Sequence, residues 1–178
     1  MEYSCLAIDI PKGTDCSEVL TRISQLDGVI VVNLALSAEG SQLIFTQENL
    51  QALLEADATA LYLGIVPEAQ YTALMRQQLL QLQAETENIR VLLRSNYLLN
   101  VEAELTDFLS RIQNVILMME CFALKKASLA INNILKRLSE DQEQLGVACF
   151  YLEDNVLCMD ILHYRIKERL IKLAGELK

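Results

Sequence analysis

The sequence predicts an α+β protein, mostly α overall: a small α/β unit over residues 1–66, then a three-helix antiparallel bundle with coiled-coil-like heptads over 67–178. Three observations carry this reading. Glycine (6) and proline (2) are scarce and tryptophan is absent, a composition that suits long helices. The texture changes near Pro67, where short β-type runs mixed with short helical patterns give way to long stretches of helical period. Near the C-terminus Leu145, Cys149, Leu152, Val156, Met159, His163, Ile166, Leu170, Leu173 and Leu177 follow an unbroken 4-3-4-3 spacing, and only His163 is polar. Such a seam needs a partner surface from the chain itself or from another molecule.

Each element of the first 66 residues has a local reason. Tyr3 to Ile10 reads as a strand ended by Pro11-Lys12-Gly13. Ser17 to Leu26 reads as a helix with Val19, Leu20, Ile23 and Leu26 on one face, capped by Asp15 or Ser17 and stopped by Asp27-Gly28. Val29 to Leu36 is β-branched, Glu39-Gly40 signals a turn, and Gln42 to Phe45 is a shorter strand, so the two strands should pair as a hairpin. Thr46 stands where an N-cap is needed, ahead of a face made by Leu50, Leu53 and Leu54. Ala60 to Val66 is the last strand. The order strand, helix, strand, strand, helix, strand is that of a ferredoxin-like unit, with two helices over one face of a four-stranded antiparallel sheet. A three-layer unit in which 42–45 is loop is the alternative.

Pro67 suits the first turn of a helix, and beyond it the seam divides into three segments. From about Glu68 to Tyr97, Met75, Leu79, Leu82, Ile89 and Leu93 keep heptad spacing, with Thr86 as a polar interruption. From about Val101 to Leu138, Leu105, Leu109, Ile112, Ile116, Met119 and Ala123 are in register, after which the seam shifts to Ala127, Ile131, Ile134 and Leu138. A shift of that kind unwinds a supercoil locally. Ser139 with Gln142 makes a capping-box pattern for a third helix, which carries Gly146 in its first turns. Short breaks near Asn100 and Ser139 favour antiparallel neighbours. The middle segment also holds Phe108, Leu117, Met118, Phe122 and Leu124 outside its stripe. These five are candidate interaction-surface residues, facing the first unit or another copy of the chain.

Charge and cysteine usage narrow the partners. A formal charge of −9 disfavours nucleic acid, since phosphate binding needs an excess of Lys and Arg. The most apolar helical run, Ile112 to Leu124, is interrupted by Gln113, Asn114 and Glu120 and is shorter than the ~20 residues a bilayer requires, so no membrane span is expected. Cys5, Cys16, Cys121, Cys149 and Cys158 are odd in number and far apart, and read as reduced thiols packed as small hydrophobes. With no basic n-region before the first apolar run, a cytoplasmic location is expected.

The sole histidine, His163, lies in Leu162-His163-Tyr164-Arg165-Ile166-Lys167-Glu168-Arg169-Leu170. This run resembles the phosphoacceptor box of one class of sensor histidine kinases, in which a histidine, an aromatic residue or a second histidine, Arg, an aliphatic residue and Lys follow one another on a helical hairpin. The resemblance implies phosphotransfer through His163; without Asn- and Gly-rich nucleotide boxes it implies a phosphotransfer or regulatory module rather than a kinase. Read from the residues alone, His163 is a histidine hydrogen-bonded within or at the edge of the seam. Cys149, Met159 and His163 share one stripe, but a metal site needs three or four convergent ligands. Pro11-Lys12-Gly13-Thr14-Asp15 occupies the place of a phosphate loop, with glycine and lysine in the wrong order for a nucleotide fingerprint. No catalytic, cofactor-binding or metal-ligating residue is assigned.

The expected function is that of a non-enzymatic interaction, assembly or adaptor protein working through helical surfaces. Its partner would be another protein or a second copy (a homodimer), with no cofactor. The alternatives are a phosphotransfer module using His163 and an enzyme whose site lies between the α/β unit and the bundle.

Overall fold

A computed structural model of the chain describes residues 3–37, 40–56, 58–94 and 98–177, for 98–100 the backbone alone. The protein is mostly helical, with one small four-stranded antiparallel sheet. It divides into two compact units, Met1–Tyr71 with Glu120–Ser128, and Thr72–Met119 with Leu129–Lys178. The second unit is therefore interrupted in sequence by a segment that belongs to the first.

In the first unit β1 (Ser4–Asp9), α1 (Cys16–Ser24), β2 (Val29–Ala35), β3 (Leu43–Ile44), α2 (Gln47–Glu55) and β4 (Ala60–Pro67) follow one another as the sequence pattern predicts. The sheet order is β1-β4-β2-β3, every neighbouring pair antiparallel. A ferredoxin-like sheet has its first and third strands at the centre, so the expected topology is corrected: here β4 and β2 are central. The side chains give the reason. β2 buries Ile30, Val31, Val32, Leu34 and Ala35, and β4 buries Leu61, Leu63 and Val66, so both are apolar on two faces as central strands are. β1 exposes Ser4, Cys5, Ala7 and Asp9, and β3 exposes both of its residues, which suits edges.

Local capping matches the sequence. Asp15 Oδ1 accepts from Ser17 Oγ at 2.7 Å and Glu18 N at 2.8 Å, bonds that hold its carboxyl below the usual range. Thr46 Oγ1 accepts from Asn49 N at 3.1 Å and opens α2. The hairpin pairs Asn33 with Ile44 and Leu34 with Leu43. Of the expected turn, Glu39 lies outside the described residues, and Gly40 N donates to Ser37 O at 3.1 Å.

The last turns of α4 (Leu98–Lys126) complete this unit. Cys121 Sγ donates to Phe45 O at 3.3 Å, and Phe122 stacks on Tyr71 with ring centroids 6.3 Å apart. Lys126 pairs with Glu68, and Lys125 donates to Ser24 O and Leu26 O. Burial lifts the Cys121 thiol to about 12 and raises the Tyr71 hydroxyl too, so neither ionises near neutrality.

The second unit holds most of α3 (Glu68–Arg94), the first part of α4, α5 (Leu129–Phe150), and a last continuous helix. That last helix consists of α6 (Asn155–Asp160), a π-helical stretch (Ile161–Ile166) and α7 (Lys167–Glu176). The three helices expected from the heptads are thus four. The α3 seam stands as predicted, with Met75, Leu79, Leu82, Thr86, Ile89 and Leu93 all buried and Thr86 Oγ1 donating to Gln83 O at 2.7 Å. Tyr97, its expected end, lies outside the described residues; α3 ends at Arg94 and α4 begins at Leu98, close to the break expected near Asn100.

The expected helix over 101–138 is cut at 127–128. Ala127 takes a left-handed φ of +48°, Ser128 N donates to Ala123 O at 3.1 Å, and Ala127 N donates to Leu124 O at 3.3 Å, which together make a Schellman stop. The seam shift read there as a stutter is the helix end itself. Ser139 caps nothing and lies inside α5; the true break falls at 151–154, where Glu153 has φ +50° and Asp154 Oδ1 accepts from Leu157 N at 2.9 Å.

Polar contacts run in opposite order along neighbouring helices of this unit. Between α5 and the last helix Asp141 meets Arg169 at 3.6 Å and Gln144 meets Arg165 at 2.5 Å. Between α3 and the last helix Arg76 donates to Leu177 O, Lys167 to Glu87 at 2.6 Å, and Arg90 meets His163 at 2.9 Å. Residues four apart drift by about 40° per step on a helix of 3.6 residues per turn. The wider π turns absorb that drift, and Cys158, Leu162, Ile166 and Leu170 are all buried. His163 and Met159, expected in the seam, are displaced to half-exposed positions, while Leu152 and Val156 are exposed.

Candidate functional site

Two places in the second unit gather functional groups. The first surrounds His163, carried by the π-helical stretch. Arg90 Nη1 donates to Glu87 Oε2 at 2.6 Å and lies 2.9 Å from His163 Nδ1, while Lys167 Nζ donates to Glu87 Oε1 at 2.6 Å. The Lys167 hydrogen bond, then the charges of Arg90 and Lys167, outweigh desolvation and hold the Glu87 carboxyl below its usual range. A guanidinium cannot accept a hydrogen bond, so toward Arg90 Nδ1 of His163 can only be the acceptor, and the same nitrogen lies 3.6 Å from Glu87 Oε1. His163, the phosphoacceptor candidate of the sequence, is half-exposed at the edge of this cluster.

Asp141, on the α5 face toward the last helix, is buried beside Arg169 at 3.6 Å and Arg165 at 3.8 Å. Burial raises its carboxyl and the two arginines oppose the rise. This group ties α5 to the last helix.

The second place is the tip between α5 and α6. Val147, Phe150, Tyr151, Leu152 and Val156 are all exposed, Tyr151 by 82%, Val156 by 67% and Leu152 by 61%. Beside them lies a groove of about 280 Å³ lined by the buried Leu93, Val101 and Leu105, by Phe150 and Cys149, and by the carboxylates Glu102 and Glu153. Asp154 follows on the same turn. Among the described residues no ion pair engages Glu102, Glu153 or Asp154.

Cys149 and Cys158 are joined by a disulfide across this tip, with Cα atoms 6.0 Å apart. This corrects the reading of all five cysteines as reduced thiols. On the unbroken helix that the spacing suggests, residues nine apart would stand about 13 Å from one another. The turn at 151–154 brings them together.

No family model, curated protein or solved structure matches the chain. The sites therefore rest on their own chemistry. Among the described residues no group of three or more His, Cys, Asp and Glu side chains could hold a metal ion, and no helix is long and apolar enough to cross a membrane. In the first unit a cavity of about 160 Å³ borders Lys12 and Gly13, where Thr14 Oγ1 and Thr14 N both bond Pro11 O, an ordinary strand-to-helix turn. Of the five surface candidates on α4, Phe108 and Phe122 are buried, Phe122 against Tyr71 of the first unit, one of the two directions the sequence left open; Leu117, Met118 and Leu124 are half-buried. The tip was missed because Cys149, Leu152 and Val156 were read as the seam of one continuous helix. The exposed aromatic pair Phe150-Tyr151 beside Leu152, with two acidic residues following, was the signal that could have marked a turn.

Proposed function

We propose that this chain is a non-enzymatic protein-binding module whose second unit, an antiparallel bundle of four helical stretches, docks a basic amphipathic helix of another protein on the α5–α6 tip. The observation that carries the reading is the contiguous exposed apolar run Phe150, Tyr151, Leu152 and Val156 beside an apolar-floored groove. Patches of that kind on a soluble surface mark interaction sites. The acidic rim selects the occupant. Among the described residues Glu102, Glu153 and Asp154 form no ion pair, so a helix with Lys or Arg flanking its apolar stripe neutralises them. A second copy would bring the same carboxylates to the same place in a chain of charge −9, which argues against self-docking here. The phosphotransfer reading of His163 is weaker, because Arg90 occupies Nδ1.

The test uses two synthetic amphipathic helices with one apolar face in common, one flanked by lysines and one by glutamates, titrated against the intact protein by fluorescence anisotropy. The basic helix should bind, more weakly as salt rises, and Leu152→Asp with Val156→Asp should abolish binding while the far-ultraviolet spectrum is unchanged. Equal binding of both helices, or of neither, overturns the proposal.

A further inference from the structure

We propose that Cys149 and Cys158 form a reversible thiol–disulfide exchange site, oxidised by small disulfides of the glutathione class and reduced by the corresponding thiols, that sets whether the α5–α6 tip is held in its docking shape. The exchange site stands on its own geometry; the consequence for docking rests on the function proposed above.

The geometry supplies three things. The Cα separation of 6.0 Å lies within the span a disulfide bridges without backbone movement. Access is unequal: Cys149 is half-buried at the end of α5 and lines the groove, whereas Cys158 is fully buried. An external disulfide or thiol therefore reaches the Cys149 sulfur, and Cys158 acts as the resolving thiol. The bond also encloses the exposed run Phe150, Tyr151, Leu152 and Val156, so its state bears directly on those side chains.

The chemistry balances. In oxidation the Cys149 thiol releases its proton to solvent and its sulfur bonds one sulfur of glutathione disulfide; the other glutathione leaves as a thiolate and takes up a proton. Cys158 then loses its proton, and its sulfur displaces the second glutathione from Cys149. Two protein thiols have lost two electrons and two protons, and one glutathione disulfide has become two glutathiones. Reduction is the reverse.

Besides the bond, a short set of main-chain hydrogen bonds holds the turn, Cys158 N to Asp154 O at 2.9 Å among them. Tyr151 N and Leu152 N both donate to Val147 O at 3.1 Å, Asp154 N donates to Ala148 O at 3.0 Å, and the Asp154 carboxylate caps Leu157 N. Against these stands Glu153 in the left-handed region, a conformation unfavourable for any residue with a side chain. The reduced tip should open locally more often than the oxidised one.

The experiment equilibrates the intact protein in glutathione buffers from fully reducing to fully oxidising, quenches in acid, alkylates the remaining thiols and maps each cysteine by mass spectrometry. Amide hydrogen exchange is followed at both extremes. Cys149 and Cys158 should change state together in one reversible transition, and exchange over 147–158 should be about tenfold faster in the reduced protein, with the α3 core unchanged. Cys149→Ser and Cys158→Ser should each exchange like the reduced form under either condition. A pair that stays reduced throughout, a pair that stays oxidised throughout, a Cys149 that halts as a mixed disulfide, or equal exchange in the two states overturns the proposal. Titrating the basic helix against both forms separates the two claims: a switching pair with no helix bound in either state removes the docking reading and leaves the exchange site in place.

Discussion

Ala127 holds a conformation that glycine usually supplies. Its φ of +48° closes the Schellman stop of α4, and the methyl group opposes that geometry by roughly 1 kcal/mol. Ala127→Gly should therefore stabilise the protein by up to about 0.5 kcal/mol, the relief of strain exceeding the added freedom of the unfolded chain, and raise Tm by about 1–2 °C. A fall in Tm on calorimetry would contradict this account of the turn. The same residue shows what sequence reading can and cannot reach at this scale. Asp15 and Thr46 were legible as caps because capping is local, a short polar side chain meeting an amide three residues on. Ala127 was not legible, since nothing in the alanine announces a left-handed residue, and the break it makes appeared only as a seam moved by one place.

Among elements, α3 was the most legible. Its heptad residues, Thr86 included, are all buried, because one straight helix keeps its stripe in phase. The C-terminal seam was the least legible. Its spacing continues across a turn at 151–154 and through a π stretch, and a periodic count registers neither; His163 thus left the core for a polar cluster that no spacing rule indicated. That cluster links α3 to the last helix through Glu87 and Lys167, and the link is pH-dependent. The folded pKa of Glu87 lies below its ordinary 4.5, so the unfolded chain takes up a proton first as pH falls. Its contribution is complete above about pH 4.5 and is lost as pH drops through the lowered value. Asp141 has the opposite sign: burial raises its folded pKa, so its ionised form weighs on the fold, and its contribution improves as pH falls through that raised value. Glu87→Gln should lower stability in urea titrations at neutral pH by up to about 1 kcal/mol, the modest figure proper to a partly exposed pair. The deficit should shrink as pH falls below about 4.5, where the unfolded chain takes up the proton and the folded carboxyl follows at lower pH. A deficit that stays the same size as pH falls would show that Glu87 acts by packing rather than by charge.

For the whole molecule, the informative feature is that Glu120–Ser128 belongs to the first unit although both of its flanks belong to the second. Composition changes at Pro67, and a cut there looks natural in the sequence, but nothing local tells that Cys121 and Phe122, far along the chain, complete the sheet unit. Only the folded chain brings Cys121 to the carbonyl of Phe45 and Lys125 to the end of α1. A fragment of residues 67–178 therefore makes a decisive comparison. It retains the contacts of α5 with the last helix and of α3 with the last helix, so it should give a strong helical signal and a cooperative melt. It loses the partners of Cys121 and Lys125, leaving Cys121, Phe122 and Ala123, all buried in the intact chain, facing water. Exposed apolar side chains on a helix drive association, so the fragment should sediment as larger assemblies than the full chain at the same micromolar concentration, and Phe122→Ser in the fragment should remove that excess. A monomeric fragment with the melting temperature of the intact protein would show that the segment needs no cover from the sheet, and the division of the chain into these two units would have to be redrawn.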